Sequence, residues 1–291
     1  MKRPISCVGY GLHSGVDVEM TLRPAGPGTG IMFRRVDLNV DLPATFNAVN
    51  DTRLCTVINA GDVRIGTIEH LMAALAASGI DDVVVEVNAP ELPIFDGSAA
   101  PFLFLIESAG ITAHAGTRAR VEIRRVVRVE HENAFAELRP HHPGGSGFDL
   151  SLAIEFSASA IGAQAYHISL TPETFARELA PARTFTLAAE IEALQKSGLA
   201  KGGSLANAVV VDGPKVLNPE GLRFSDEFVR HKLLDVVGDL ALAGAPISGR
   251  FIGSRTGHSL NNKLLRALFA DPENFRINHG ISPAMLQLTA A

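Results

Sequence analysis

Two segments far apart in the chain each predict a helix whose polar face carries metal-binding side-chain types. In Thr67–Ser78, Ile68, Leu71, Met72 and Leu75 recur at i, i+3, i+4 and i+7 and make one apolar stripe. At ~100° per residue, Glu69 falls at the edge of that stripe and His70 nearly opposite it. The longest predicted helix is Ser225–Ala243. Val229, Leu233, Val236, Val237 and Leu240 form its stripe, and His231, Asp235 and Asp239 line up at i, i+4 and i+8 on the other side. Gly238 borders this polar row. A helix-interior glycine costs roughly 1 kcal/mol relative to alanine, and close approach of another element would account for it. Each helix thus turns its ligand-type residues away from its own core. If the two faces meet, they meet between domains, where small-molecule sites are common. On spacing alone, two solvated helix faces explain the same residues.

The residue types point to one chemistry. Two histidines and a carboxylate leave a zinc ion one open position for water. A neighbouring glutamate can take that water's proton. The combination reads as a hydrolase. The spacing lacks HExxH, which argues against a zincin-type peptidase.

The chain has 291 residues, more than the roughly 100–200 of one domain, so two domains are expected. Ile111–Thr117 is small and polar without periodicity, and the boundary is placed there, giving domains 1–115 and 116–291. Strands are expected at Val16–Leu22, from Ile31, at Val83–Val87, as a pair within Val121–Leu138, at Phe148–Phe156, Val209–Val211 and Phe251–Gly253. Helices are expected at Thr67–Ser78 with Gly79 as its C′ residue, Ala99–Ala109, from Thr171 as N-cap, Ala188–Ser197, Ser225–Ala243 with Ser225 as cap, and Asn261–Ala270. Strands in sequence with helices grouped together suggest an α+β two-layer sandwich in each half. No sequence repeat is visible.

A formal net charge of −5 argues against non-specific nucleic-acid binding and leaves room for a local basic pocket. Cys7 and Cys55 make neither a disulfide framework nor a CxxC site, which suggests a reducing, cytosolic compartment. No apolar run follows Met1-Lys2-Arg3-Pro4, and none approaches ~18 residues, so neither a signal peptide nor a membrane span is expected.

Longer strings narrow the reading. Ile65-Gly66-Thr67-Ile68-Glu69-His70-Leu71 and Phe228 to Asp239 resemble the zinc-site helices of bacterial UDP-3-O-acyl-N-acetylglucosamine deacetylases. Four more strings match in the family's order: Gly11-Leu12-His13-Ser14-Gly15, Pro93-Ile94-Phe95-Asp96-Gly97-Ser98, Ala182-Arg183-Thr184-Phe185 and Gly257-His258-Ser259-Leu260-Asn261-Asn262-Lys263. The resemblance implies two similar α+β domains, each a small sheet packed on two helices, with the site at their interface. It implies a small β insert in the first domain and an acyl-passage insert at about 186–211 in the second.

It also implies roles. His70, His231 and Asp235 would bind one Zn²⁺ per chain, and Glu69 would be the general base. A cationic His258, held by Asp239, would assist the oxyanion or the leaving amine, and Thr184 would donate to the oxyanion. Lys232 would contact substrate hydroxyl or phosphate groups, and Phe185 would pack on the sugar. Leu187, Ile191, Gln195, Leu205 and Val210 would line the acyl passage, and His13 would approach the nucleotide or sugar. Small residues at Ala188, Ala189 and Ala206 leave the acyl length open. Cys55 matches a cysteine near the family's site that could hold a surplus metal. His114, His131, His141, His142, His167 and His279 match no functional string.

The implied reaction removes acetate from the 2-acetamido group of UDP-3-O-(3-hydroxyacyl)-N-acetylglucosamine, the committed step of lipid A synthesis. A cytoplasmic monomer that touches the inner membrane transiently, without nucleic-acid partners, is the expected setting. The alternatives are a metal-free protein that binds a nucleotide sugar or an acyl chain, and a zinc hydrolase of another amide.

Overall fold

The computed structural model describes residues 1–278, so His279 lies outside the described residues. The first half runs β1 (Ile5–Tyr10), β2 (Asp17–Pro24), β3 (Ile31–Arg35), β4 (Val40–Pro43), β5 (Val49–Asp51), β6 (Val57–Ala60), β7 (Val63–Ile65), α1 (Glu69–Ala77), β8 (Val83–Val87) and α2 (Ala100–Ala109). The second half begins with β9 (Arg120–Ile123), β10 (Val127–His131), β11 (Ala134–Arg139), β12 (Phe148–Glu155), β13 (Ala163–Ser169) and α3 (Pro172–Thr174). It continues with β14 (Phe185–Leu187), α4 (Ala188–Lys196), β15 (Val209–Asp212), β16 (Lys215–Val216), α5 (Glu227–Ala241), β17 (Ile247–Ser254), α6 (His258–Phe269) and β18 (Phe275–Asn278).

The two halves share one wiring, in line with the similar domains that the resemblance implied, although no sequence repeat displays it. The first sheet has the order β1-β2-β8-β3-β4, and the second contains β10-β11-β17-β12-β13. In each, the last strand in the chain enters the middle, antiparallel to the second strand and parallel to the third. A long helix precedes that strand and another follows it. Extra segments fall at the same point of both halves, between the fourth strand and the long helix. In the first half this is the small sheet β5-β6-β7, and in the second it includes β14-β15-β16 with α4. β9 and β18 extend the second sheet to seven strands. The molecule is thus α+β, as expected.

Local chemistry explains the elements. β2 alternates, burying Val18, Met20 and Leu22 and exposing Asp17 and Glu19, as a strand with one covered face must. The inward residues of β2, β3 and β8 join Leu71, Leu75, Phe102 and Ile106 in the core, and in the second half Leu138, Leu150 and Phe251 join Phe228, Leu233 and Leu264. At the end of α1, Gly79 (φ 71°) takes the left-handed conformation. Its N–H donates to Ala76 O (3.1 Å), and that of Ile80 to Leu75 O (2.9 Å), closing the helix as a Schellman turn. Thr171 caps α3 through Thr174 N–H as expected, but the chain then widens into a π turn over Phe175–Leu179.

Three helix starts differ from the sequence reading. α1 begins at Glu69 because Thr67 is held at φ 54°, outside helical space. α5 begins at Glu227; Ser225 does not cap it, and Asp226 occupies the cap position without a side-chain bond. α6 begins at His258 instead of Asn261, after an extended Gly257.

α1 and α5 pack directly against each other. At Gly238 the approach is so close that a Cβ atom would sit 2.0 Å from Glu69 O. The glycine is needed there for the close approach its position suggested. Of the nine residues of α1, only Ala76 is not fully buried. None of the described helices is long and apolar enough to cross a membrane.

Candidate metal centre and active-site cleft

The α1–α5 contact brings His70 against His231 and Asp235. His231 Nε2 lies 3.4 Å and His70 Nε2 3.8 Å from Asp235 Oδ1. The two imidazoles meet edge to face with centroids 5.0 Å apart. One donor atom from each of the three residues falls within 4.8 Å of the other two, and all three side chains are buried. His231 Nδ1 is 3.0 Å from Ala182 O, and a carbonyl only accepts, so Nδ1 carries the proton and Nε2 keeps its lone pair. His70 Nδ1 is buried without a hydrogen-bond partner among the described residues.

Burial pushes His70 down to about 3 and also lowers His231, so both imidazoles are neutral. Burial would raise Asp235, but Lys232 and the neighbouring histidines outweigh it and hold the carboxyl well below its usual range. Lys232 Nζ donates to Asp235 Oδ2 at 2.8 Å, which leaves Oδ1 facing the histidines. Two neutral imidazoles and an ionised carboxylate fit the donor chemistry of Zn²⁺.

Two buried titratable groups stand beside this donor set. Glu69, the first residue of α1, is buried and pushed up to about 7, chiefly by burial, against the lowering effect of His258. His258 Nδ1 donates to Asp239 Oδ2 at 2.9 Å, and its Nε2 lies 3.8 Å from Glu69 Oε1. Burial would lower His258, but Asp239 and Glu69 prevail and raise it to about 9. The cleft therefore holds a carboxyl group near neutrality beside an imidazolium.

A cavity of about 420 Å³ opens over these groups. Glu69, His70, His231, Lys232, Asp235 and His258 line it, together with Thr184, Phe185 and Leu187. Asp239 lies behind His258 and outside the lining. Phe185 turns an edge toward His231, with centroids 6.3 Å apart. His131, which matches no functional string, also lines the cavity, as do Leu54, Arg255 and Lys263.

The other expected substrate contacts lie outside that lining. His13 sits in a turn whose backbone is held by Glu91 (His13 N to Oε1 2.9 Å, Ser14 N to Oε2 2.8 Å). Ile191 and Gln195 are on α4, Leu205 is exposed in the following loop, and Val210 is buried in β15. Cys55 is buried, and burial together with Glu69 raises its thiol to about 12.

A second cavity of about 470 Å³ lies at the other end of the same helix pair, among Ala76, Ala77, Ile80, Val237, Leu240 and Ala241. It is larger, but the cluster of buried titratable groups is in the first cavity, and the site is placed there.

Several groups that shape the site left no signal in periodicity or spacing. Thr56 donates to both Glu69 and Asp239, and Asn261 Nδ2 donates to Asp239 Oδ2 at 2.8 Å. Arg183 is buried against Glu227 (Nε to Oε1 2.8 Å) beside Ala182, whose carbonyl orients His231. These are loop residues or helix residues whose partners are distant in sequence, and periodicity does not report such pairs.

The family model described as LpxC: UDP-3-O-acyl N-acetylglycosamine deacetylase matches residues 1–270 of the chain.

Proposed function

The chain belongs to that family of UDP-3-O-acyl-N-acetylglucosamine deacetylases, and from this premise we propose that it hydrolyses the 2-acetamido group of its substrate with a zinc ion held by His70, His231 and Asp235. The family's activity is a deacetylation in lipid A biosynthesis, and its members are metalloenzymes. The observation that carries the mechanism is the meeting, in one cavity, of the three metal donors with Glu69 and His258.

Zinc bound there would acidify a water molecule and polarise the acetamide carbonyl. Glu69 then accepts the proton of the attacking water through Oε1, the oxygen that faces His258. His258, kept cationic by Asp239, stabilises the negative charge that develops on the carbonyl oxygen and protonates the departing amine. Thr184 donates to the same oxygen. Lys232 is kept protonated by Asp235 against the effect of burial, and it meets substrate hydroxyl or phosphate oxygens. Phe185 packs on the sugar ring, and Leu187 opens the acyl passage, with Ile191, Gln195, Leu205 and Val210 further along the same insert. His13 approaches the nucleotide or the sugar.

We also infer the division into residues 1–115 and 116–291. Neither main sheet takes a strand from across that line, which supports it. Every proposed catalytic group comes from one chain, so a monomer suffices. A nucleotide-linked, lipid-bearing substrate implies work at the cytoplasmic face of the inner membrane with transient contact.

The test pairs metal content with acetate release from UDP-3-O-acyl-N-acetylglucosamine before and after chelation. About one zinc per chain, with turnover lost to the chelator and restored by zinc, is expected. Glu69→Gln should keep the metal and lose about 10²- to 10⁴-fold in kcat, the usual worth of a general base. Metal-free, well-folded protein without turnover would overturn the reading in favour of a metal-free binding protein.

A further inference from the structure

Thr56 lies in the loop between β5 and β6 and is buried (2% exposed). All three of its polar groups are engaged. Its N–H donates to Glu69 Oε2 at 3.1 Å, and its hydroxyl donates to Asp239 Oδ1 at 2.5 Å. Its carbonyl accepts from the N–H of Ile68, just before α1, at 3.5 Å. The other oxygen of Asp239 receives His258 Nδ1 and Asn261 Nδ2. With Oε2 of Glu69 tied to Thr56, Oε1 is the oxygen left facing His258 Nε2.

We propose that the Thr56 hydroxyl is a positioning group for the proton-donating side, fixing the carboxylate that aims His258 relative to Glu69, which the backbone N–H of the same residue holds. The inference rests on the deacetylase reading above. Its physical basis is orientation. A carboxylate held at one oxygen can swing about its Cβ–Cγ bond, whereas one held at both oxygens cannot. Proton transfer depends steeply on such alignment. Thr56 and Glu69 belong to the first half of the chain, and Asp239 and His258 to the second. The hydroxyl bond therefore sets the base relative to the acid, which no bond within either half could do. A purely structural role, satisfying a buried carboxylate, would lower stability and leave the chemical step untouched.

The experiment uses the full-length zinc-loaded enzyme and compares wild type, Thr56→Val and Thr56→Ser. It measures kcat and KM for acetate release, zinc content, Tm and the proton resonance of His258 Nδ1–H. Thr56→Val removes the hydroxyl at nearly constant volume. It should lower kcat by about 10- to 100-fold, the scale of a deleted hydrogen bond to a charged group. KM and zinc content should stay as they are, and the Nδ1–H resonance should shift. Thr56→Ser should restore both kcat and the resonance. Wild-type kcat in Thr56→Val, or Thr56→Ser as slow as Thr56→Val, overturns the proposal. If Thr56→Val does not fold, Thr56→Ala, Asp239→Asn and the double variant replace it. Losses smaller together than their product support coupling, and losses that multiply refute it. No acetate release by wild type would mean that the functional reading has failed. The resonance then decides separately, because an unchanged Nδ1–H signal in Thr56→Val removes the positioning role.

Discussion

At the scale of single residues, the cleft holds two side chains away from their ordinary ionisation ranges. Burial raises Glu69 to about 7, and Asp239 with Glu69 raises His258 to about 9. The proposed mechanism needs Glu69 ionised and His258 protonated, so activity should rise with pH through the first ionisation and fall through the second. Asp239→Asn removes the charge that favours the imidazolium. The alkaline limb of the kcat/KM profile should then move to lower pH, while the acid limb moves down slightly or not at all. A profile with an unmoved alkaline limb would mean that His258 is not the acid. His70, His231, Asp235 and Glu69 stood out in the sequence because each lies on a helix where spacing fixes direction, but the resemblance, not the spacing, gave them zinc and base roles. Thr56 was not legible, because its partners at 69 and 239 are set by tertiary approach and its loop has no periodicity. The resemblance supplied the roles of Thr184 and Lys232, and spacing alone did not.

At the scale of elements, everything depends on how closely α1 and α5 approach. A Cβ at Gly238 would overlap Glu69 O at 2.0 Å, and that oxygen belongs to the backbone, which has little room to yield. Gly238→Ala should therefore destabilise the protein by about 1–3 kcal/mol or more, the cost of overpacking. Because the separation would move His70 from His231 and Asp235, zinc affinity should fall along with Tm. An alanine variant with wild-type metal affinity would show that the helices can part without disturbing the donors. Two polar rows facing away from their own stripes raised the possibility of this pairing, but spacing alone fitted two solvated faces equally well. The starts of α1, α5 and α6 were less readable. Thr67 adopts φ 54° while its hydroxyl donates to Glu91 at 3.0 Å, and that tertiary bond overrides the helical pattern of the segment. His258 opens α6 without any side-chain cap to announce it.

At the scale of the whole molecule, the proposed metal donors are divided between the two halves, so metal binding by them would be coupled to the association of the halves. Zinc at about 1,000 times its dissociation constant would add about 4 kcal/mol to stability. Chelation should lower Tm, and His70→Ala should abolish the difference between metal-loaded and metal-free protein. Equal melting points with and without zinc in the wild type would place the metal elsewhere. The similarity of the halves was implied by the resemblance but shows in no sequence repeat, because strand order is a tertiary property, and dissimilar residues can satisfy the same pattern of inward and outward faces. The near-complete burial of α1 has a further consequence in the order of synthesis. One side of that helix is covered by its own sheet soon after translation, but its cover on the other side, α5, is more than a hundred residues away. At roughly 5–20 residues per second, the nascent chain carries that uncovered face, with a carboxylate and an imidazole set into it, for on the order of ten seconds. During this interval the ribosome-bound chain is exposed to aggregation and available to chaperones, and a metal would find only one of the three proposed ligands.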